Sequence, residues 1–157
     1  MTGDDVEQVL IQAALLESGQ DVLLLGGGSL ALAAHERVGD GWVYVVQSQV
    51  EELEELLGEA HAAGASGVAY LVGEAPVLPL PDSAVAAAVG RIATDEGALG
   101  AAADELARVL SAGGRVSFAE PDAGAGKELA HALAAAGFEQ VQVERVGEEA
   151  VVSGRLG

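Results

Sequence analysis

The chain has 157 residues, a length that suits one domain with a real core. Its formal net charge of −18 argues against nucleic acid and against anionic membrane surfaces, both of which call for a basic face. It holds no cysteine, so disulfides, thiolate metal sites and cysteine nucleophiles are excluded.

Half of the residues are hydrophobic, supplied mostly by Ala and Val, and only 3% are aromatic. No run approaches the ~18 uncharged apolar residues that span a bilayer. The acidic start MTGDDVEQ is unlike a basic secretory leader, so no signal peptide is expected and the expected location is cytoplasmic.

Asp4 to Ser18 carries Val6, Val9, Leu10, Ala13 and Leu16 at helical spacing. Val22–Leu25 is a first strand, and it runs straight into Gly26, Gly27, Gly28 and Ser29. A buried strand that ends in a glycine turn and opens a helix is how α/β proteins hold nucleotide-like ligands. Glycine allows positive φ and a close ligand, and the helix start offers free N–H groups.

Leu30–Val38 reads as a helix closed by Gly39, and Trp42–Val46 as a second strand. Val50–Ala63 is a helix whose glutamates form a solvated face. Strands are expected near 22–26, 43–47, 67–72, 84–89, 114–119, 139–145 and 149–156. Helices are expected over Glu96–Leu110 and Gly126–Ala136, with Ser111–Gly114 as a tight helix-to-strand turn. The last two strands form an antiparallel pair turned by Gly147.

This alternation implies right-handed crossovers and a mostly parallel sheet with helices on both faces. The continuous apolar strands agree, since both faces are covered. The whole chain, 1–157, reads as a single domain: an N-terminal helix in 1–20 and a Rossmann-like core in 21–157.

Two phrases narrow the class. One is GEAPVLPLPDSAVAAAV, Gly73 to Val89; the other is ELARVLSAGGRVSFAEP, Glu105 to Pro121. Together with the glycine turn they resemble the class I S-adenosylmethionine-dependent methyltransferases of the small-molecule, type 11-like kind. The match is most specific at Glu105, Leu106, Arg108, Val109, Leu110, Gly113, Gly114, Arg115 and Glu120. The resemblance implies a three-layer Rossmann-like methyltransferase fold. Its seven-stranded, mostly parallel sheet would place the first strand centrally and a C-terminal antiparallel hairpin at one edge.

It also implies S-adenosyl-L-methionine as cofactor, held by Gly26, Gly27, Gly28, Gln47, Glu74 and Ala75. Gly26 and Gly28 fall on the first two glycines of the family's motif. The motif's acidic residue falls on Leu24 and its third glycine on Leu30, so the motif is degenerate. Gln47 stands where the family places an acidic residue for the ribose hydroxyls. It lies nineteen residues after Gly28, close to the usual ~20. A neutral amide can accept there without charge assistance, or it is a polar strand-end residue with no ligand. Glu74 and Ala75 match the segment that meets the adenine, and Leu78 would border it.

No catalytic residue stands out. Arg91, Thr94, Asp95 and Glu96 follow the fourth strand, and Glu120, Pro121 and Asp122 the fifth. All read first as caps or solvent-facing residues. His35, His61 and His131 fall on separate helices with no HxH or HxxxH spacing, so no metal site is expected.

Two functions follow. One is a minimal methyltransferase acting on a small-molecule acceptor. The other is a non-catalytic structural or regulatory subunit of the same fold with a decayed cofactor site. The short N-terminal region leaves the acceptor side open. A homodimer or a larger protein partner is therefore expected, touching the N-terminal helix or the last strand pair, neither of which has a covering element later in the chain.

Overall fold

The computed structural model describes residues 2–25, 30–47, 67–73, 77–92 and 98–157. Its elements in chain order are α1 (Thr2–Ala13), β1 (Val22–Leu25), α2 (Ala31–Val38), β2 (Val43–Gln47), β3 (Val68–Val72) and β4 (Val85–Arg91). They continue with α3 (Leu99–Val109), β5 (Leu110–Glu120), α4 (Ala123–Ala135), β6 (Phe138–Val146) and β7 (Glu149–Leu156). The expected helix over Val50–Ala63 lies outside the described residues.

The seven strands form one sheet in the order β3-β2-β1-β4-β5-β7-β6. The first five strands pair in parallel. β7 inserts antiparallel between β5 and β6, and the β6–β7 hairpin turns through Gly147 at φ +65°. The chain builds outward from β1 through β2 to β3, then returns to lay β4 on the other side of β1. That reversal makes the C-terminal ends of β1 and β4 a topological switch point, the place where open α/β sheets take ligands. The three-layer architecture expected from the sequence is the one observed.

Alternation along the strands fills two cores. One face carries Leu23, Leu25, Val46, Ala88, Val116, Phe118 and Val152, which pack with Leu106 and Val109 of α3 and Leu129 and Leu133 of α4. The other face carries Val22, Leu24, Val43, Val45, Ala87, Val89, Ala119 and Val151, covered by Leu10 and Ile11 of α1 and Ala31, Ala34 and Val38 of α2. All four residues of β1 are buried, which is why a plain apolar run serves here in place of an alternating pattern.

α1 is shorter than the helical spacing suggested, ending at Ala13 instead of Ser18. Leu15 takes φ +50°, and the Gln20 side chain accepts from the Glu17 N–H at 2.8 Å in the turn that leads to β1. The apolar side of α1 is spent inside the chain, with Leu10, Ile11, Ala14 and Leu16 at most 9% exposed. The expectation that this helix lacks a covering element is thereby corrected: it packs on the sheet face that holds Ala87, Val89, Ala119 and Val151.

Two boundaries moved for local reasons. β5 starts at Leu110, paired with Val85, and the next partners are Ala87 and Arg115. The expected turn at Ser111–Gly114 is thus a bulge inside the strand, with Gly113 at φ +80°. α4 starts three residues before Gly126 because Asp122 caps it, its Oδ1 accepting from the Ala125 N–H at 2.8 Å. Gly126 then sits over β7: a Cβ there would stand 2.9 Å from that of Ala150, so only glycine lets the helix approach so closely.

Candidate functional site

The C-terminal edge of the sheet brings together Leu25, Gln47, Arg91 and Glu120, which end β1, β2, β4 and β5, and Gly73, the residue after β3. Gly90 pairs with Leu25 at this switch point, with φ +136°. A Cβ on Gly90 would lie 2.0 Å from the Leu25 carbonyl oxygen, so the two strands meet there backbone to backbone.

Gln47 ends β2 and is 9% exposed. Its carbonyl accepts from the Gly73 N–H at 2.9 Å, which ties the exits of β2 and β3 together. Gly26, Gly27, Gly28, Glu74 and Ala75, expected at the same site, lie outside the described residues. So do Thr94, Asp95 and Glu96.

Leu24 is fully buried and Leu30 is 3% exposed, both in the core that α1 and α2 cover. Both are core hydrophobes. Leu78 is also core, at 4% exposure. Its N–H donates to Glu105 Oε2 at 2.6 Å, and its carbonyl accepts from Arg108 Nη2 at 3.2 Å. Arg108 also reaches Asp82 at 2.8 Å, and its own carbonyl accepts from the Ser83 N–H. The Arg108 hydrogen bonds hold the Glu105 carboxyl below its ordinary range, against the opposing push of its burial. The most specific phrase of the sequence is therefore a clasp that binds the loop before β4 to α3.

Glu120 departs most from expectation. It is not a solvent-facing or capping residue; it is 9% exposed at the end of β5. Its Oε1 has no hydrogen-bond partner among the described residues. Burial pushes its carboxyl up to about 7, Asp122 adds to the rise, Arg91 pulls against it, and Glu128 adds a smaller push. Arg91 is committed elsewhere, its guanidinium gripping both Glu149 oxygens at 2.9 and 3.2 Å. The sequence signal for Glu120 was the apolar run that it closes, Val116 to Ala119, broken only by Ser117.

His35 on α2 keeps a buried Nδ1 without a partner among the described residues, and His131 is exposed on α4. Among the described residues no group of three or more His, Asp or Glu side chains gathers as a metal site would. No described helix is long and apolar enough to cross a membrane.

This fold is shared with known enzymes. A S-adenosylmethionine-dependent methyltransferase from Aquifex aeolicus superposes with TM-score 0.80 at 23% identity, over 98% of this chain and 90% of that one. Geranyl diphosphate C-methyltransferase from Streptomyces coelicolor A3(2), solved with S-adenosyl-L-homocysteine, gives 0.81 at 13% identity, over 98% and 76%. SpnF, a 4+2 cyclase, gives 0.81 at 18% identity, over 98% and 81%. The chain thus has the Rossmann-like fold of the S-adenosylmethionine-dependent methyltransferases. No protein-family model matches it, and no curated protein does.

Gln47, nine-tenths buried at the exit of β2, carries a carboxamide with both a donor and an acceptor. At the methionine end Leu24 offers nothing to an ammonium group, being sealed in the core.

Proposed function

We propose that this chain binds S-adenosylmethionine across the C-terminal edge of its sheet and methylates a small-molecule acceptor. The observation that carries the reading is the reversal between β1 and β4 in a seven-stranded sheet of methyltransferase order, with Gln47 buried at its edge. When bound, the cofactor supplies an electrophilic methyl group. On this reading the backbone N–H groups of Gly26, Gly27 and Gly28 face the amino-acid end, and Gln47 takes the ribose hydroxyls. Glu74 accepts from the adenine amino group, and the Ala75 N–H donates to a ring nitrogen. The Glu105–Arg108 clasp fixes Leu78, four residues beyond Glu74, and so steadies that wall.

A second reading, a structural or regulatory subunit of the same fold, rests on Leu24, Leu30 and the neutral Gln47. Calorimetric titration with S-adenosylhomocysteine separates the two. The native chain should bind, and Glu74→Ala should weaken binding by about 1–3 kcal/mol, the usual size of a charged hydrogen bond. No heat of binding at millimolar ligand would leave only the structural reading.

A further inference from the structure

Glu120 is the one carboxylate buried at the described edge of the sheet, and the fold gives it no structural task. By strand alternation its side chain shares a face with Val116 and Phe118, the face that α3 and α4 cover. Its backbone is paired with Ala150, so it closes β5 beside the exits of β4 and β1. Oε1 has no partner among the described residues. Arg91, the described cation whose charge acts on Glu120, is engaged bidentately by Glu149. A buried acid without a partner costs free energy, and an apolar side chain would fill the same space without that cost.

We infer that Glu120 is the general base of this site, taking the proton from an acceptor that carries an O–H or N–H nucleophile. The inference rests on the methyltransferase reading above. In the step, the acceptor's proton passes to Glu120 Oε1. The lone pair left on the acceptor oxygen or nitrogen forms the bond to the transferred methyl, whose former bonding pair stays on sulfur. The bound proton leaves to water as product departs.

The surroundings set both the timing and the acceptor's charge. Among the described residues, the charged groups whose field reaches Glu120 are Asp122 at the α4 cap, Glu128 on α4, and Arg91 on β4. Two of the three are acidic, so an anionic acceptor is repelled and a neutral or cationic one is admitted. A carboxyl held near neutrality is also matched to its task, because a base works best when its pKa lies near the working pH.

The test uses the full chain labelled with carboxyl-¹³C glutamate, with Glu120→Gln to assign the resonance. The Glu120 carboxyl should titrate with a midpoint near 7. With S-adenosylhomocysteine present, adding millimolar phenol or imidazole should move that midpoint by at least half a pH unit. A midpoint near 4.5, or one that neither probe moves, overturns the assignment. Calorimetry with S-adenosylhomocysteine on the same samples separates the failures. Binding by both native chain and Glu120→Gln with an ordinary midpoint ends the base alone. Absence of binding by the native chain ends the methyltransferase reading and the base with it.

Discussion

Arg108 donates from Nη2 to the carbonyl of Leu78, thirty residues earlier, at 3.2 Å, while Glu105 receives the N–H of the same residue at 2.6 Å. One peptide segment is thus gripped on both its polar groups by neighbouring turns of α3. Glu105→Ala strips the buried Leu78 N–H of its acceptor and Arg108 of its partner. The expected loss is about 1–3 kcal/mol of unfolding free energy at pH 7, read from urea titration. The Glu105 carboxyl is lowered in the folded chain, so this contribution is present above its unfolded value of 4.5 and lost as pH falls through the lowered one. Native and variant stabilities should therefore converge in acid. A difference that stays constant down to low pH would show that the carboxylate is not what matters.

Glu120 has the opposite sign. Its carboxyl rises from 4.5 to about 7 on folding, so the folded chain holds a proton that the unfolded chain releases. Stability from this group is complete below pH 4.5, falls as pH rises to about 7, and is level above that. Relative to the native chain, Glu120→Gln should gain about 1–3 kcal/mol between pH 4.5 and pH 8. Parallel stability curves for the two proteins would count against the burial of this acid.

Gly90 and Leu25 leave no room between strands. Gly90→Ala places a Cβ 2.0 Å from the Leu25 carbonyl oxygen, at a φ of +136° that L side chains avoid. The expected cost exceeds about 3 kcal/mol, seen as loss of the cooperative thermal transition by circular dichroism. Gly100→Ala is the matched control. It meets nothing within 4 Å on α3, and helix propensity predicts a gain of about 0.5 kcal/mol.

Asp122 caps α4, its Oδ1 satisfying the Ala125 N–H. Asp122→Ala should cost about 0.5–2 kcal/mol in chemical denaturation, and Asp122→Ser should recover most of it. Removing this charge should also lower the Glu120 midpoint, since Asp122 is the largest charge raising it. An unchanged midpoint would separate the two residues.

The sequence by itself determined the alternation of strands and helices and the layers, and the family resemblance implied a central first strand with a hairpin at one edge. Unbroken apolar runs such as Val22–Leu25 can be buried on both faces only in a parallel sheet under helices, and the Glu105–Glu120 phrase named the fold family. Glycine placement was legible for the same local reason: Gly113 in its bulge and Gly147 in its turn take the positive φ these demand. Element ends were less so. Ser111–Gly114 looks like a turn, and only the pairing of Leu110 with Val85 makes it a bulge.

What the tertiary structure decided is which polar groups lie inside. A glutamate after an apolar strand reads as a surface residue, because burial depends on what the neighbouring strands and helices bring beside it. Here α4 and β7 close over the exit of β5 and leave Glu120 9% exposed. Leu24 shows the converse. In sequence it is a missing carboxylate, and in space it is a core side chain that packs with Val45 and Val89. Likewise, Glu105 and Arg108 spell a family phrase along the helix. Their work, holding Leu78 and Asp82, exists only once the fold has brought a distant loop against them.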